Sequence, residues 1–217
     1  MNPATGPIKA WIFDLDGVIV STDEYHYLGW KRLADEEGVD FDRHVNERLR
    51  GVSRMESLGI LLEKSPRAYT SDEKTALATR KNGYYKELLL TRLRPEDILP
   101  GVLSLLRQLR VRGIKLAIGS SSRNSPTILE RIGLAGYFDA EADGNHITRS
   151  KPDPEVFLLA ARKLGLQPAD CLVVEDAAAG VEAAVAGGMP VLAVGSAGSD
   201  PRATLRAADL QLVARLF

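Results

Sequence analysis

The sequence predicts an α/β fold, in which a Rossmann-like core built on a parallel sheet carries an inserted α-helical cap domain. From Ile98 onward, short apolar runs alternate with segments of helical character, the pattern of parallel strands joined by crossover helices. Residues 21–94 contain few β-branched runs and many Glu, Lys, Arg, Leu and Ala residues, a composition typical of helices. The apolar stretch Ala10–Phe13 cannot be buried alone, so we expect it to join the sheet that follows the cap.

The cap boundaries and helices follow from local signals. We expect a core of residues 1–20 and 95–217 and a cap of residues 21–94, with linkers near residues 20–23 and 93–98. Pro95 marks the second linker, because the residue before a proline disfavours the helical conformation. Apolar residues between positions 27 and 34 recur at three and four, which indicates an amphipathic helix ending near Gly38. Ser53 with Glu56 reads as a capping box. The other predicted cap helices span residues 55–63 and 71–90.

The core elements alternate regularly. The predicted helices are 102–111, 125–132, 154–164 and 178–187, and the predicted strands after the first are 114–119, 137–141, 171–175 and 190–194. Cys171 is the only cysteine and lies in an apolar run, so an intramolecular disulfide is excluded and a buried strand position is predicted.

Composition narrows the class of partner. The chain has 217 residues, 45% of them hydrophobic and 26% charged, and its net charge is -1. That balance gives no reason to expect nucleic acid or an anionic membrane as a partner. No run approaches the roughly 18 apolar residues of a membrane span, and the first residues lack the basic region of a signal peptide. We expect a cytoplasmic monomer that acts on small molecules.

Asp14 and Asp16 follow the first strand directly and are expected at the carboxyl edge of the sheet, where open α/β sheets bind ligands. Two carboxylates so close repel each other unless a cation, a shared proton or divided roles relieve them, and hard oxygen ligands favour magnesium or calcium. Gly17 gives the chain freedom to turn there. The alternative is an Asx-type turn that caps backbone amides. A calcium loop is excluded because residues 18–20 are apolar and a strand leads in.

A second acidic pair, Glu175 and Asp176, ends the predicted strand 171–175. Strand ends converge at one edge of a parallel sheet, so two such acidic pairs predict a cation site. Mg²⁺ needs about six oxygen ligands, including those of water and substrate, and two such edges can supply them. An acidic cap favoured by the helix dipole would explain one of these acids but not both.

Two further stretches suit a phosphate. Hydroxyl and amide groups over residues 119–124 stand at a strand end, just before the helix that Ser125 and Pro126 open, which is a natural phosphate cradle. A serine-rich turn with a good helix cap is the equal alternative. Lys151 precedes Pro152 and is held extended; its ammonium would cancel repulsion between carboxylates and a phosphate. Alternatively, it is a solvated loop lysine.

These stretches, in this order, resemble the four motifs of the haloacid dehalogenase superfamily of phosphotransferases. The motifs are Phe13-Asp14-Leu15-Asp16-Gly17-Val18, Ser120-Ser121-Ser122-Arg123-Asn124, Lys151-Pro152 and Glu175-Asp176. The resemblance covers about residues 8–195 and extends to the sugar phosphomutases of the superfamily through the cap. The matching cap stretches are Thr22, Glu24-Tyr25-His26, Trp30, Gly51-Val52-Ser53-Arg54 and Arg80-Lys81-Asn82.

The resemblance implies roles for the core residues. Asp14 would be the nucleophile, and Asp16 the general acid and base. The implied Mg²⁺ ligands are Asp14, the backbone carbonyl of Asp16, and Asp176, with Glu175 in support. The transferring phosphoryl group would be held by Ser120, the amide of Ser121 and Lys151, and the second phosphate of the substrate would face Ser122, Arg123 and Asn124. Ala177 stands where family members often carry serine, so a hydroxyl near the metal is missing.

In the cap, the implied substrate-binding residues are His26, Trp30, Gly51, Val52, Ser53, Arg54 and Lys81. Arg54 offers a planar fork that suits a phosphate dianion. His26 would couple substrate binding to cap closure, and Thr22 would be the hinge. Without the resemblance, Arg54 and Lys81 read as solvated cations, and His26 with Trp30 as a packed pair on one helix face.

The implied reaction interconverts β-glucose 1-phosphate and glucose 6-phosphate, through β-glucose 1,6-bisphosphate and an aspartyl phosphate. A sugar-phosphate or phosphoglycolate-type phosphatase shares the core motifs and is the first alternative. A non-catalytic sugar-phosphate binder is the second, although a binder has no need of a nucleophile.

Overall fold

The structure is a computed structural model that describes residues 7–49 and 53–216. These residues form two compact units. The core unit runs from the first described residues to Ser21 and resumes at Arg94, and the helical unit is Thr22–Leu93. The chain therefore passes between the units twice, at Ser21–Thr22 and at Leu93–Arg94.

The helices and strands follow one another in a regular order. In chain order the elements are β1 (Ala10–Phe13), α1 (Asp23–Glu36), α2 (Arg43–Glu47), α3 (Arg54–Leu62), α4 (Ser71–Arg92), α5 (Val102–Val111), β2 (Lys115–Gly119), α6 (Ser125–Arg131), β3 (Ala140–Ala142), α7 (Glu155–Leu164), β4 (Cys171–Glu175), α8 (Ala178–Ala186), β5 (Val191–Ala193), β6 (Leu205–Arg206) and α9 (Leu210–Leu216). None of the helices among the described residues has the length and apolar character to cross a membrane.

The core sheet has six parallel strands in the order β3-β2-β1-β4-β5-β6. Every residue of β1 and β4 is buried, as expected for strands covered by helices on both faces. Strand order reverses direction between β1 and β4, so the crevice at their carboxyl ends is the switch point where such sheets bind ligands. The predicted fold class is confirmed.

The helical unit has its own core, formed mainly by α1, α3 and α4. Trp30, Leu33, Leu58 and Leu61 are among its buried residues. Ser53 caps α3 as predicted, since its Oγ accepts the Glu56 N–H at 3.3 Å. α4 begins at Ser71, as predicted, and Thr70 caps it: Thr70 Oγ1 accepts the Glu73 N–H, and the Glu73 carboxylate accepts the Thr70 N–H.

Three elements escaped the sequence analysis, and one strand lies later than predicted. α2 buries none of its residues and so has no apolar period; Asp42 caps it by accepting the Val45 N–H. β6 is two exposed residues long. α9 buries Leu210 and Val213, a pair too short to stand out as a period. β3 begins at Ala140, later than the predicted start at residue 137.

Candidate active site

The core brings three carboxylates together at the switch point. Asp14 directly follows β1, and its N–H donates to Val174 O at 2.9 Å. This bond continues the pairing of β1 with β4 one residue beyond the end of β1. Glu175 ends β4 and Asp176 follows it. One oxygen from each of Asp14, Glu175 and Asp176 lies within 4.8 Å of the other two. The parallel register thus brings acids that are far apart in sequence into one cluster.

Lys151 lies against two members of this cluster. Its Nζ donates to Asp14 Oδ1 at 2.6 Å and to Glu175 Oε2 at 2.7 Å. The Lys151 and Asp14 side chains are 10% exposed and that of Glu175 is 1% exposed, so these ion pairs are shielded from solvent. The centroid of the Phe157 ring lies 4.5 Å from Nζ. Burial lowers the pKa of Lys151, but Asp14 and Glu175 raise it by more, and the ammonium stays charged.

One ammonium does not neutralise three carboxylates. Burial, followed by the charges of Asp14, Glu175 and Asp16, raises the pKa of Asp176 to about 8. Burial also raises the pKa of Glu175, although Lys151 opposes the shift. A divalent cation would relieve this repulsion, and an all-oxygen donor set suits a hard cation. The cluster is therefore a candidate metal site.

The turn after β1 presses closely on Asp176. Gly17 has a φ of +86°, a left-handed conformation that side chains rarely adopt. A Cβ at Gly17 would lie 2.2 Å from Asp176 Oδ2. The Gly17 N–H donates to Val20 O at 2.8 Å and closes the turn. Both the backbone conformation and the space at this position require glycine.

Asp16 is not one of the three acids whose oxygens lie within 4.8 Å of one another. It is partly buried, and its backbone forms an isolated bridge with Val20. Its charge still reaches Asp176, where it helps to raise the pKa. The predicted metal ligand at Asp16 is its backbone carbonyl, and that assignment remains a prediction.

Hydrogen bonds join residues within the loop between β2 and α6, and a further bond joins this loop to Lys151. Ser120 is buried, and its Oγ accepts the Ser122 N–H at 3.2 Å. Ser122 Oγ in turn accepts the Asn124 N–H at 3.2 Å. Ser121 Oγ accepts the Lys151 N–H at 3.4 Å. The predicted phosphate-binding stretch and the predicted lysine therefore share one edge of the core.

In the helical unit, His26 and Lys81 form a buried pair. Lys81 is 3% exposed, and its Nζ lies 2.8 Å from His26 Nδ1. Burial lowers the pKa of His26 well below its usual value, and the charges of Lys81 and Arg54 lower it further. An ammonium can only donate, so Nδ1 of the neutral ring accepts and Nε2 carries the proton. His26 is therefore a hydrogen-bond donor through Nε2.

Aromatic rings surround this pair. The Lys81 ammonium lies 4.6 Å from the centroid of the Trp30 ring and 5.0 Å from that of Tyr85. The His26 ring stacks on Tyr85 with centroids 4.0 Å apart. The Tyr85 hydroxyl is 2.8 Å from Thr22 Oγ1, and both residues are buried. Sequence reasoning missed Tyr85, although it lies one helical turn after Lys81 and so on the same face of α4.

Two further predicted cap residues, Ser53 and Arg54, lie at the start of α3. Arg54 begins α3, and its Nη2 donates to Asn82 Oδ1 at 3.0 Å. Ser53 caps the same helix with its hydroxyl. Gly51 and Val52 lie outside the described residues.

Comparison with known proteins identifies the family. The model of the haloacid dehalogenase-like hydrolases matches residues 8–188. The chain belongs to this family. The predicted family is thus confirmed.

The chain is similar over most of its length to two β-phosphoglucomutases and to a phosphatase. The chain is 47% identical over 190 residues to the β-phosphoglucomutase of Bacillus subtilis, a match covering 87% of this chain and 84% of the relative. It is 32% identical over 211 residues to a phosphorylated carbohydrates phosphatase of Thermotoga maritima, covering 95% and 94% of the two chains. The crystal structure of β-phosphoglucomutase from Clostridium difficile is similar with a TM-score of 0.86 and 38% identity, over 95% of this chain and 93% of that one.

Ala177 replaces the serine that family members often carry, and another serine of the chain bonds the neighbouring backbone. Ala177 offers no hydroxyl beside the second acidic pair, and its N–H donates to Glu175 Oε1 at 3.0 Å. The hydroxyl of Ser196, from the loop after β5, donates to the main-chain oxygen of Asp176 at 2.6 Å. A serine distant in sequence thus fixes the backbone of Asp176, which no local motif could reveal.

Proposed function

We propose that this protein interconverts β-glucose 1-phosphate and glucose 6-phosphate through β-glucose 1,6-bisphosphate and an aspartyl phosphate. The observation that carries the proposal is the position of Asp14: its carboxylate is bonded to Lys151 and lies beside two further acids at the switch point. The 47% identity to a β-phosphoglucomutase supports the choice of substrate.

Asp14 acts as the nucleophile. Its carboxylate oxygen attacks phosphorus, an acyl phosphate bond forms, and the bond from phosphorus to the sugar oxygen breaks. Lys151 holds Asp14 in place and offers its ammonium to the phosphoryl oxygens, on which negative charge accumulates. The Ser120 hydroxyl and the Ser121 amide bind the same phosphoryl group.

Asp16 exchanges protons with the sugar. It donates a proton to the departing sugar oxygen and later removes one from the acceptor hydroxyl, as general acid and base. Its carboxylate is not a proposed metal ligand and can therefore take up and release a proton. The bisphosphate must turn over between the two transfers, so that its second phosphate reaches Asp14.

Mg²⁺ is the proposed cofactor, held by Asp14, Asp176 and the backbone carbonyl of Asp16, with Glu175 in support. Bound there, it supplies positive charge to the phosphoryl oxygens. Glu175 fits a supporting role: one of its oxygens accepts the N–H groups of Asp176 and Ala177, and the other accepts from Lys151.

In this proposal the substrate-binding residues of the cap include Arg54 and Lys81. Those of the core include Ser122, Arg123 and Asn124, which bind the second phosphate of the substrate. Closure of the cap about Thr22 excludes water, because the aspartyl phosphate would otherwise hydrolyse. Cytoplasmic location and a monomeric state complete the proposal.

The test supplies the purified protein with Mg²⁺, β-glucose 1-phosphate and a trace of β-glucose 1,6-bisphosphate, and follows glucose 6-phosphate and free phosphate in parallel. We expect glucose 6-phosphate to rise far faster than phosphate, and Asp14→Ala to abolish both. Phosphate release without glucose 6-phosphate would instead establish the phosphatase, which the 32% identity to a carbohydrate phosphatase keeps as the alternative. No product, but retained binding of glucose 6-phosphate, would indicate a binder.

Mg²⁺ is expected to stabilise the folded protein. A ligand at 100 times its dissociation constant contributes about 2.7 kcal/mol, which raises the unfolding midpoint of a chain of this size by roughly 5–10 °C. Asp176→Asn should remove most of this rise without lowering the metal-free midpoint, because a carboxyl group with a pKa of about 8 is mostly protonated at neutral pH and the amide resembles it in shape and charge. Thermal unfolding with and without Mg²⁺ measures both, and Asp170→Asn is the control at a surface acid of the core. An unchanged Mg²⁺ response in Asp176→Asn would contradict the ligand assignment.

Gly17→Ala should weaken Mg²⁺ binding by about 10–100-fold, the usual effect of disturbing a residue that orients a ligand. The added methyl group must displace the Asp176 carboxylate. Gly165→Ala is the matched control, since Gly165 is also left-handed, with a φ of +71°, but a Cβ there would meet nothing within 4 Å. Both variants lose stability from backbone strain; equal Mg²⁺ affinities in the two, measured by calorimetry, would show that the close approach at Gly17 has no role.

A further inference from the structure

A tight turn follows β3 and is organised by one buried acid. Asp143 is 1% exposed, and its Oδ1 accepts the Asn145 N–H at 2.8 Å. The Asp143 N–H donates to His146 Nδ1 at 3.3 Å, and the His146 N–H donates to Asp143 O at 2.9 Å. Three bonds to a single residue thus fix the conformation of this turn, which we call the β3 turn (residues 143–146).

The β3 turn continues the pairing of β3 with β2 beyond the ends of both strands. The last ladder contact is the Ser120 N–H donating to Ala142 O at 3.0 Å. The Gly144 N–H then donates to Ser122 O at 3.2 Å. The Asn145 side-chain amide donates from Nδ2 to Arg123 O at 3.0 Å. Three successive bonds therefore hold one side of the loop that carries the predicted phosphate-binding residues.

The contact at Gly144 is too close for any other residue. A Cβ there would lie 2.4 Å from Ser121 O and 2.9 Å from the Arg123 N atom. Both are backbone atoms, which cannot move aside as the end of a flexible side chain can. The turn and the loop thus pack backbone against backbone.

Arg123 is exposed, although its carbonyl oxygen accepts the bond from Asn145. No ion pair or hydrogen bond joins its guanidinium to any residue in the described ranges 7–49 and 53–216. When its side chain binds an anion, a residue whose backbone is already fixed loses less conformational freedom than a residue in a mobile loop does. The β3 turn provides that fixed backbone.

We infer that Asn145 is a positioning residue for substrate binding: with Gly144, it holds the backbone of residues 121–123 so that Ser122 and Arg123 present their polar groups to the second phosphate of the substrate. The inference rests on the proposed function, which assigns that phosphate to this loop. It adds the β3 turn, which lies outside the four motifs, as a determinant of affinity for phosphorylated sugars.

The test is equilibrium binding in an Asp14→Asn background, where no turnover consumes the ligand. Calorimetry with Mg²⁺ and β-glucose 1,6-bisphosphate compares the parent with Asn145→Asp, which keeps the size of the side chain but sets an anion against Arg123 O. We expect binding about 10-fold weaker. Gln167→Glu makes the same amide-to-acid change at an exposed core position before β4, and should bind as the parent does.

A double-mutant cycle with Arg123→Ala separates positioning from a merely structural role. If Asn145 acts through Arg123, the double variant should bind little worse than the weaker single variant. Lower stability alone would move the unfolding midpoint and leave the affinity of the folded protein unchanged. Gly144→Ala is the second variant and should weaken binding in the same way if Asn145→Asp folds poorly.

The outcomes for the two proposals are distinct. A parent that neither converts glucose phosphates nor binds the bisphosphate overturns the proposed function, and the inference with it. A parent that is active and binds, but whose affinity is unchanged in Asn145→Asp and Gly144→Ala, overturns the inference alone. Full additivity of Asn145→Asp and Arg123→Ala would also overturn it.

Discussion

Asp14→Asn is expected to lower the rate of glucose 6-phosphate formation by at least about 10⁴-fold, the scale of loss when a covalent nucleophile is removed. The amide has nearly the same shape as the carboxylate, but it cannot attack phosphorus. It also removes a carboxylate whose charge raises the pKa values of Asp176 and Glu175, while Lys151 keeps Glu175 as its partner. We therefore expect activity to disappear while the unfolding midpoint stays the same or rises.

Steady-state assay and thermal unfolding, run on the same preparation, measure both effects. Asp170→Asn serves as the matched control, since Asp170 pairs with Lys9 at the surface and should matter little to either quantity. Residual activity within about 100-fold of the parent would show that Asp14 is not the nucleophile. A large fall in stability would show instead that its charge is needed for the fold.

Lys151→Met should produce the second largest effect, on both activity and stability. The variant keeps most of the side-chain volume but leaves Asp14 and Glu175 buried without their cation. Removing one partner of a buried ion pair costs about 3–5 kcal/mol of unfolding free energy. Loss of one preorganised donor to a transition-state oxygen lowers the rate by roughly 10²–10³-fold.

Denaturant unfolding with and without Mg²⁺ separates the two roles of this lysine. We expect Mg²⁺ to recover stability in Lys151→Met by more than it stabilises the parent, because the metal then becomes the main source of positive charge in the cluster. Activity should stay low at saturating Mg²⁺. Lys163→Met, at an exposed lysine of the same unit, is the control. A Lys151→Met variant as stable as the parent without metal would contradict the ion-pair geometry.

The carboxylate cluster could be predicted from sequence, because each acidic pair comes at the end of an apolar strand. Parallel strands end at one edge, so Asp14 and Asp176 had to lie near each other once both strands were recognised. The course of the turn that follows Asp16 could not be predicted in the same way. The left-handed backbone of Gly17 and its close approach to Asp176 arise only in the folded chain.

The helical unit shows the same limit. Its amphipathic helices predict a small core, and the resemblance singled out His26 and Lys81. Their 2.8 Å contact joins α1 to α4, elements far apart in sequence, and no local pattern encodes it. Tyr85 was missed because an aromatic residue at helical spacing usually means core packing; here the ring also carries a hydroxyl bonded to Thr22.

The sequence by itself determined the order of most strands and helices, the family, and the acidic and basic residues at the strand ends. These depend on local patterns: apolar runs, turn residues and short acidic or basic motifs. Only the tertiary structure decided which groups share a proton, a cation or a backbone contact, such as Lys151 with Glu175 or Asn145 with Arg123. Such pairings need distances of about 3 Å between residues whose separation along the chain carries no information about their approach in space.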